Sequence, residues 1–243
     1  SYIQNNFFIL EIGGGFGSFA RIILNNKNVK YILIDLPEAN LISNYYLQLS
    51  FPEKRIFNYS DFKKKGLEKN VENYDIFILP PRILDTKNIN YDFIINTRSF
   101  MEMNKKIIKE YFDLIQKKIR HNGYFLNINR YMKSTVKEEI RFSDYPYDNF
   151  WDKEISEKSF LQPHIHFLLT KRLKESGNIY SELQAIKNSN TQWASYGNLK
   201  FKLMKAYIKR FIWLFTKSLL VSIVGKKKLK KISKVLYGIS EQD

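Results

Sequence analysis

The 243-residue sequence contains no cysteine. Disulfides and thiolate-zinc sites are therefore excluded, and a reducing cytoplasm is the natural setting. Histidine is nearly as scarce, at three residues, so a metal centre would need carboxylates to complete it. No apolar run is long enough to span a bilayer, and no secretory signal is read. Acidic residues are outnumbered 24 to 40 by Lys and Arg, a net charge of +16. Such an excess ordinarily points to nucleic acid, but its distribution argues otherwise. Residues 199–243 hold twelve of the basic residues and only two acidic ones, leaving +6 for the first 198 residues. Nucleic acid is not the expected partner. Glycine is sparse too, at ten residues, yet four of them fall between positions 13 and 17.

Those glycines close the run Phe8-Ile9-Leu10-Glu11-Ile12-Gly13-Gly14-Gly15-Phe16-Gly17. A short continuous apolar stretch suits a parallel strand buried on both faces. Glycines then let the chain turn sharply and bring its backbone against a ligand. Residues 16–24 are apolar on one helical face, which completes strand, loop and helix, the first half of a βαβ unit. A dinucleotide fingerprint needs a third glycine at the sixth position of the loop, and Ser18 stands there. Read from the carboxylate, Glu11-x-Gly13-x-Gly15-x-Gly17 is complete. Residues 29–34 form a second apolar strand ending in Asp35-Leu36-Pro37, 24 positions after Glu11. An acid at that strand end can accept hydrogen bonds from both hydroxyls of a ribose.

Further along, residues 38–50 read as a helix with Leu41, Tyr45, Tyr46 and Leu49 on one side. Two stretches compete for the third strand, 54–59 and 75–79, and the second is favoured for the sheet. The first places Asp61 just after the strand; the second places the backbone near Arg82 there. Residues 91–96 are the fourth strand, 105–120 an amphipathic helix stopped by His121-Asn122-Gly123, and 124–129 the fifth strand. This alternation gives an α/β class with a doubly wound, mostly parallel sheet and helices on both faces. Asn96-Thr97-Arg98-Ser99-Phe100-Met101-Glu102-Met103 follows the fourth strand at its carboxyl end, the edge where such sheets bind ligands.

The spaced glycines after Glu11 resemble motif I of the class I S-adenosylmethionine-dependent methyltransferases, and the sheet is then expected to be their Rossmann-like one. Together with Asp35-Leu36-Pro37, Asn96-Thr97-x-Ser99-Phe100-x-Glu102-Met103 and Pro163-His164-x-His166-Phe167-Leu168-Leu169, the pattern is similar to the sugar O-methyltransferases of bacterial surface-glycan clusters, over roughly residues 7–173. The resemblance implies S-adenosyl-L-methionine as cofactor. It also implies Glu11 facing the methionine amino group, Gly13, Gly14, Gly15 and Gly17 packing on the cofactor, Asp35 and Leu36 at the ribose, and Asp61 and Asn96 as further contacts. The implied acceptor is a sugar or glycan hydroxyl. Enzymes methylating base amines place Asp or Asn before Pro-Pro after the fourth strand; here Asn96 precedes Thr97-Arg98.

Methyl transfer from a sulfonium is an in-line displacement governed largely by positioning. A general base helps a sugar hydroxyl to attack, and Glu102 and His164 are the candidates. Arg98, Ser99, Asn129 and Tyr131 are candidates to orient the acceptor, and the aromatic stretch 145–151 is a candidate to stack on a sugar ring or to form a lid. His164 and His166 share one face of the last strand, but without a third ligand no metal is expected.

The catalytic domain is expected over 1–173, a linker or loose helix over 174–198, and a basic amphipathic helical tail over 199–243. Aromatics among clustered lysines suit a helix lying on an anionic bilayer surface, here the inner face of the cell membrane, and also a helix packed on the catalytic domain or on a second subunit with its lysines in solvent. Because the first strand begins within a few residues of position 1, an upstream segment completing the active-site cover is expected. RNA ribose methylation and a non-catalytic cofactor-fold binding module are the alternative functions.

Overall fold

The computed structural model describes residues 7–26, 29–81, 89–133 and 138–189. The chain divides into two units, 1–192 and 193–243. The second unit, with the expected tail and its membrane or subunit contact, lies outside the described residues, as does Arg82.

In chain order, β1 (Phe8–Ile12) runs through the glycine loop into α1 (Ser18–Asn26), then β2 (Lys30–Ile34) and α2 (Pro37–Ser50). Short β3 (Ile56–Phe57) and α3 (Tyr59–Lys65) precede β4 (Ile76–Leu79), β5 (Tyr91–Thr97) and α4 (Lys105–Lys118). The chain continues through β6 (Ile119–Arg130), β7 (Met132–Lys133), β8 (Ile140–Arg141), β9 (Trp151–Lys158), β10 (Ile165–Arg172) and α5 (Ile179–Asn188). Eight strands form one sheet in the order β3-β4-β2-β1-β5-β6-β10-β9. The six from β3 to β6 are mutually parallel, and β10 is antiparallel to both β6 and β9. The doubly wound, mostly parallel architecture read from the sequence is the one the chain adopts.

Every residue of β1, β2 and β4 is buried, which is why these strands read as continuous apolar runs. Alternation sorts their side chains between two cores. Ile9, Tyr31, Leu33, Ile76, Ile78 and Ile95 pack with Ala20 and Leu24 of α1 and Leu47 of α2. Phe8, Leu10, Ile12, Ile32, Ile34 and Ile94 pack on the other face with Ile108, Phe112 and Ile115 of α4 and Ile179, Leu183 and Ile186 of α5. Helices thus cover both faces, as the winding demands.

The strand favoured over 75–79 takes its place beside β2 as β4, and the rival stretch adds β3 as an edge strand on it. Three sequence readings change. Residues 121–123 do not end a helix. Helix α4 stops at Lys118, and β6 begins at once; the register slips between Tyr91 and Phe93, and Asn122 adopts φ +62°, so these residues form a bulge in the strand. The aromatic stretch is not a lid: Tyr145, Tyr147 and Trp151 are buried against Phe112 and Phe125, beyond reach of a sugar. Finally, packing does not cease at residue 173: within the stretch expected as a linker or loose helix, α5 forms and buries Ile179, Leu183 and Ile186 in the core. Among the described residues no helix is long and apolar enough to cross a membrane.

Candidate functional site

At the carboxyl end of β1 the chain turns through Gly13, Gly15 and Gly17, all at positive φ. The Gly13 amide donates to the Ile34 carbonyl at the end of β2 (2.7 Å), and Gly17 donates to Gly14 (3.0 Å). Two of these glycines do different work. A Cβ on Gly13 would overlap Ser99, whose side chain lies directly against it, whereas a Cβ on Gly15 would project into open space with nothing within 4 Å. Gly13 is required by the protein's own packing. Gly15 presents bare backbone to whatever sits above it.

Asp35, just past β2, closes the cradle. Its carboxylate accepts from the Gly15 amide (2.7 Å) and from the Leu36 amide (2.7 Å), which holds it at the rim with lone pairs left for a second donor. The Leu36 side chain is exposed beside it. A group with vicinal hydroxyls and a flat ring fits this pair of features.

Glu11 is placed differently from its expected contact with a ligand. It is buried beneath the loop, where Oε2 accepts from the Tyr31 hydroxyl (2.8 Å) and lies 3.0 Å from where a Gly14 Cβ would be. Burial pushes its carboxyl up from 4.5 to about 7, opposed by the Tyr31 hydrogen bond and aided by the Asp35 charge. The folded chain therefore holds this proton more tightly than the unfolded chain. That contribution to stability is complete below 4.5 and lost as pH rises through about 7. Urea denaturation should show stability falling by on the order of 3 kcal/mol between about pH 5 and 8, with a flatter profile for Glu11→Gln. Equal slopes in the two proteins would dismiss Glu11 as the source.

Asn96, at the end of β5, is wholly buried and bonded on both sides. Its amide donates to the Ile12 carbonyl (3.0 Å) and to Ser99 Oγ, and its oxygen accepts from the Phe100 amide (3.3 Å) and Asn129 Nδ2 (2.8 Å). Ser99 Oγ also donates to Ile12 (3.1 Å). Asn96 and Ser99 thus brace the glycine loop from below, and neither their expected cofactor contact nor acceptor contact is needed to explain them. Asn129 is buried too, donating in addition to Asn127 Oδ1 (2.6 Å), and its own Oδ1 has no partner. Tyr131 is only 4% exposed, and its hydroxyl meets His166 Nδ1 (3.0 Å). From there a chain runs through His166 Nε2 to Ser156 Oγ (2.8 Å), to Glu182 and to Lys153 (2.9 Å). Desolvation holds His166 down at about 4, so it is neutral at physiological pH. This network ties β6, β9, β10 and α5 together, and no spacing in the sequence announces it.

The remaining candidates separate. Arg98 is exposed at φ +63°, its amide donating to the Ile128 carbonyl (2.7 Å). His164 is half-buried just before β10, its imidazole held below its usual range by burial and by the charges of Arg130 and Arg98. Glu102 ends a single 3-10 turn, exposed, and pairs with Lys133 (3.4 Å). Asp61 does not join the group. It sits in the capping box of α3, accepting from the Asn58 amide (3.3 Å) and pairing with Lys65 (3.3 Å); α3 follows β3, three strands from β1. Among the described residues no cluster of three His, Asp or Glu is placed to hold a metal.

Fold and site together define a doubly wound, Rossmann-like sheet with an open glycine cradle at its carboxyl edge. Solved structures similar to it include a TehB-like SAM-dependent methyltransferase from Corynebacterium glutamicum (12% identity, 70% of this chain and 81% of that one, TM-score 0.47). The ribosomal protein L11 methylase from Lactobacillus delbrueckii subsp. bulgaricus is also similar (11%, 70% and 74%, 0.45). So is the mitomycin 7-O-methyltransferase MmcR (14%, TM-score 0.47), which covers 70% of this chain but of whose length this chain spans only 50%. None of these likenesses reaches a level at which an activity transfers. No protein-family model matches the sequence, and no curated protein does.

Proposed function

We propose that the chain is an S-adenosylmethionine-dependent methyltransferase acting on a hydroxyl of a sugar in a surface polysaccharide or its precursor. The open backbone at Gly15 with the Asp35 carboxylate beside it is the observation that carries the cofactor assignment. The backbone of Gly13, Gly14, Gly15 and Gly17 would support the cofactor, Asp35 would take its ribose hydroxyls, and exposed Leu36 would cover its base. When bound, S-adenosylmethionine supplies an electrophilic methyl group. The chain's own residues hold the acceptor in line and remove its proton.

Glu102, exposed in the turn after β5, and His164, its pKa lowered by burial and by the charges of Arg130 and Arg98, are the two groups offered for that proton. The sugar half of the proposal rests on the resemblance of the segment from Asn96 to Met103. The basic stretch 199–243 would bring the enzyme to an anionic membrane surface where lipid-linked glycans are assembled.

Calorimetric titration with S-adenosylhomocysteine tests the cofactor assignment. Micromolar binding is expected, weakened about tenfold or more in Asp35→Ala, with the melting temperature little changed because Asp35 lies at the rim. Unchanged affinity in the variant would remove Asp35 from the site, and no binding by the folded wild-type chain would remove the methyltransferase reading.

A further inference from the structure

Three basic residues stand together at the carboxyl edge, where adjacent strands β5, β6 and β10 meet. Thr97 pairs with Ile128, and the next amide, that of Arg98, donates to the Ile128 carbonyl (2.7 Å). Arg130, two residues on, pairs with Ile165, and the amide of Tyr131 donates to the His164 carbonyl (3.0 Å). The backbone thus sets Arg98, Arg130 and His164 at the ends of three neighbouring strands. Burial, and then the two guanidinium charges, lower the His164 pKa.

Elsewhere the chain gives its strand-borne arginines carboxylates: Arg120 has Asp92 (2.7 Å), Arg141 has Glu139 (2.5 Å) and Arg172 has Asp148. Among the described residues neither Arg98 nor Arg130 has an ion pair. Holding two guanidiniums and an imidazole together without an acid is unfavourable in itself. Arg98 also occupies the left-handed region at φ +63°, at a cost of about 1–2 kcal/mol. Strain and uncompensated charge coincide on the edge where such sheets bind ligands.

We propose that the methyl acceptor is an anionic sugar whose carboxylate or phosphate is held by the guanidiniums of Arg98 and Arg130 beside His164. Planar guanidinium forks suit either oxyanion. The assignment rests on the sugar methyltransferase reading, and it narrows the acceptor to uronates, sugar phosphates and nucleotide sugars.

The His164 ring reports on the site directly. Only three histidines exist, so its proton resonance is assignable with His164→Gln. The full chain, saturated with S-adenosylhomocysteine at physiological salt, is titrated with inorganic pyrophosphate and, separately, with glucuronate. A bound anion offsets the guanidinium charges, so the His164 pKa should move upward and saturate while His121 stays still. A stronger response to pyrophosphate selects a phosphate-bearing acceptor, and a stronger response to glucuronate selects a uronate. In the double variant R98Q/R130Q the anion affinity should fall about tenfold or more with S-adenosylhomocysteine affinity unchanged.

No response to either anion overturns the proposal, as does an undiminished response in the double variant, which would place the anions on other basic groups. Loss of S-adenosylhomocysteine binding in the variant also overturns it, since the arginines would then hold the cofactor's carboxylate. Failure of the wild-type chain to bind S-adenosylhomocysteine, measured separately, sinks the methyltransferase reading and the acceptor assignment with it, whatever anion response remains.

Discussion

Gly15→Ala is expected to weaken S-adenosylhomocysteine binding about a hundredfold or more, some 3 kcal/mol, while lowering the melting temperature by only a few degrees. The two effects part because of what surrounds the position. A methyl group on Gly15 meets no protein atom, so the folded chain bears only the strain of a positive φ, roughly 1–2 kcal/mol. The same methyl group occupies the surface on which the ligand would rest. Gly13→Ala makes the opposite comparison. Its Cβ would overlap Ser99, forcing apart the hydrogen bonds that Ser99 makes with Ile12 and Asn96. Both stability and binding should fall there, the former by about 3 kcal/mol or more. Calorimetry paired with thermal melting separates the cases. If Gly15→Ala bound the ligand as well as wild type, the cradle would not be where the ligand sits.

Asn96→Ala should destabilise the domain by roughly 3–5 kcal/mol, lowering the melting temperature by about 10 °C. The side chain pairs with four groups at once, and its removal leaves the Phe100 amide and one N–H of Asn129 Nδ2 without partners in a site closed to water. Urea denaturation measures the loss. A change below about 1 kcal/mol would mean that water enters and replaces these bonds, and that the glycine loop does not depend on Asn96 for its support.

The site was readable in the sequence where it is local. Glycines needed at positive φ, an acid after the second strand and apolar runs of strand length are all properties of short segments, and each appears where the spacing placed it. Glu11, Asn96 and Asn129 were equally visible as residues, but their direction was not. Each lies inside the protein because strands distant in sequence bring Tyr31, Ile12 and Asn96 against it. Asp61 was misleading for a related reason: an acid three residues into a helix caps it whether or not a ligand is near, and here it makes the capping box. The arginine pair escaped because Arg130 reads as one more charge at a strand end until β10 returns beside it.

By itself the sequence determined the alternation of strand and helix, the doubly wound class and the glycine turn, because these follow from hydrophobic period and from the steric freedom of single residues. Only the tertiary structure decided that β3 joins the sheet as an edge strand on β4, that Tyr145, Tyr147 and Trp151 belong to the core and that α5 packs beyond residue 173. It also decided which polar groups face solvent at the carboxyl edge. The reason is the same in each case: burial and pairing are set by partners distant along the chain, whose approach no local pattern records.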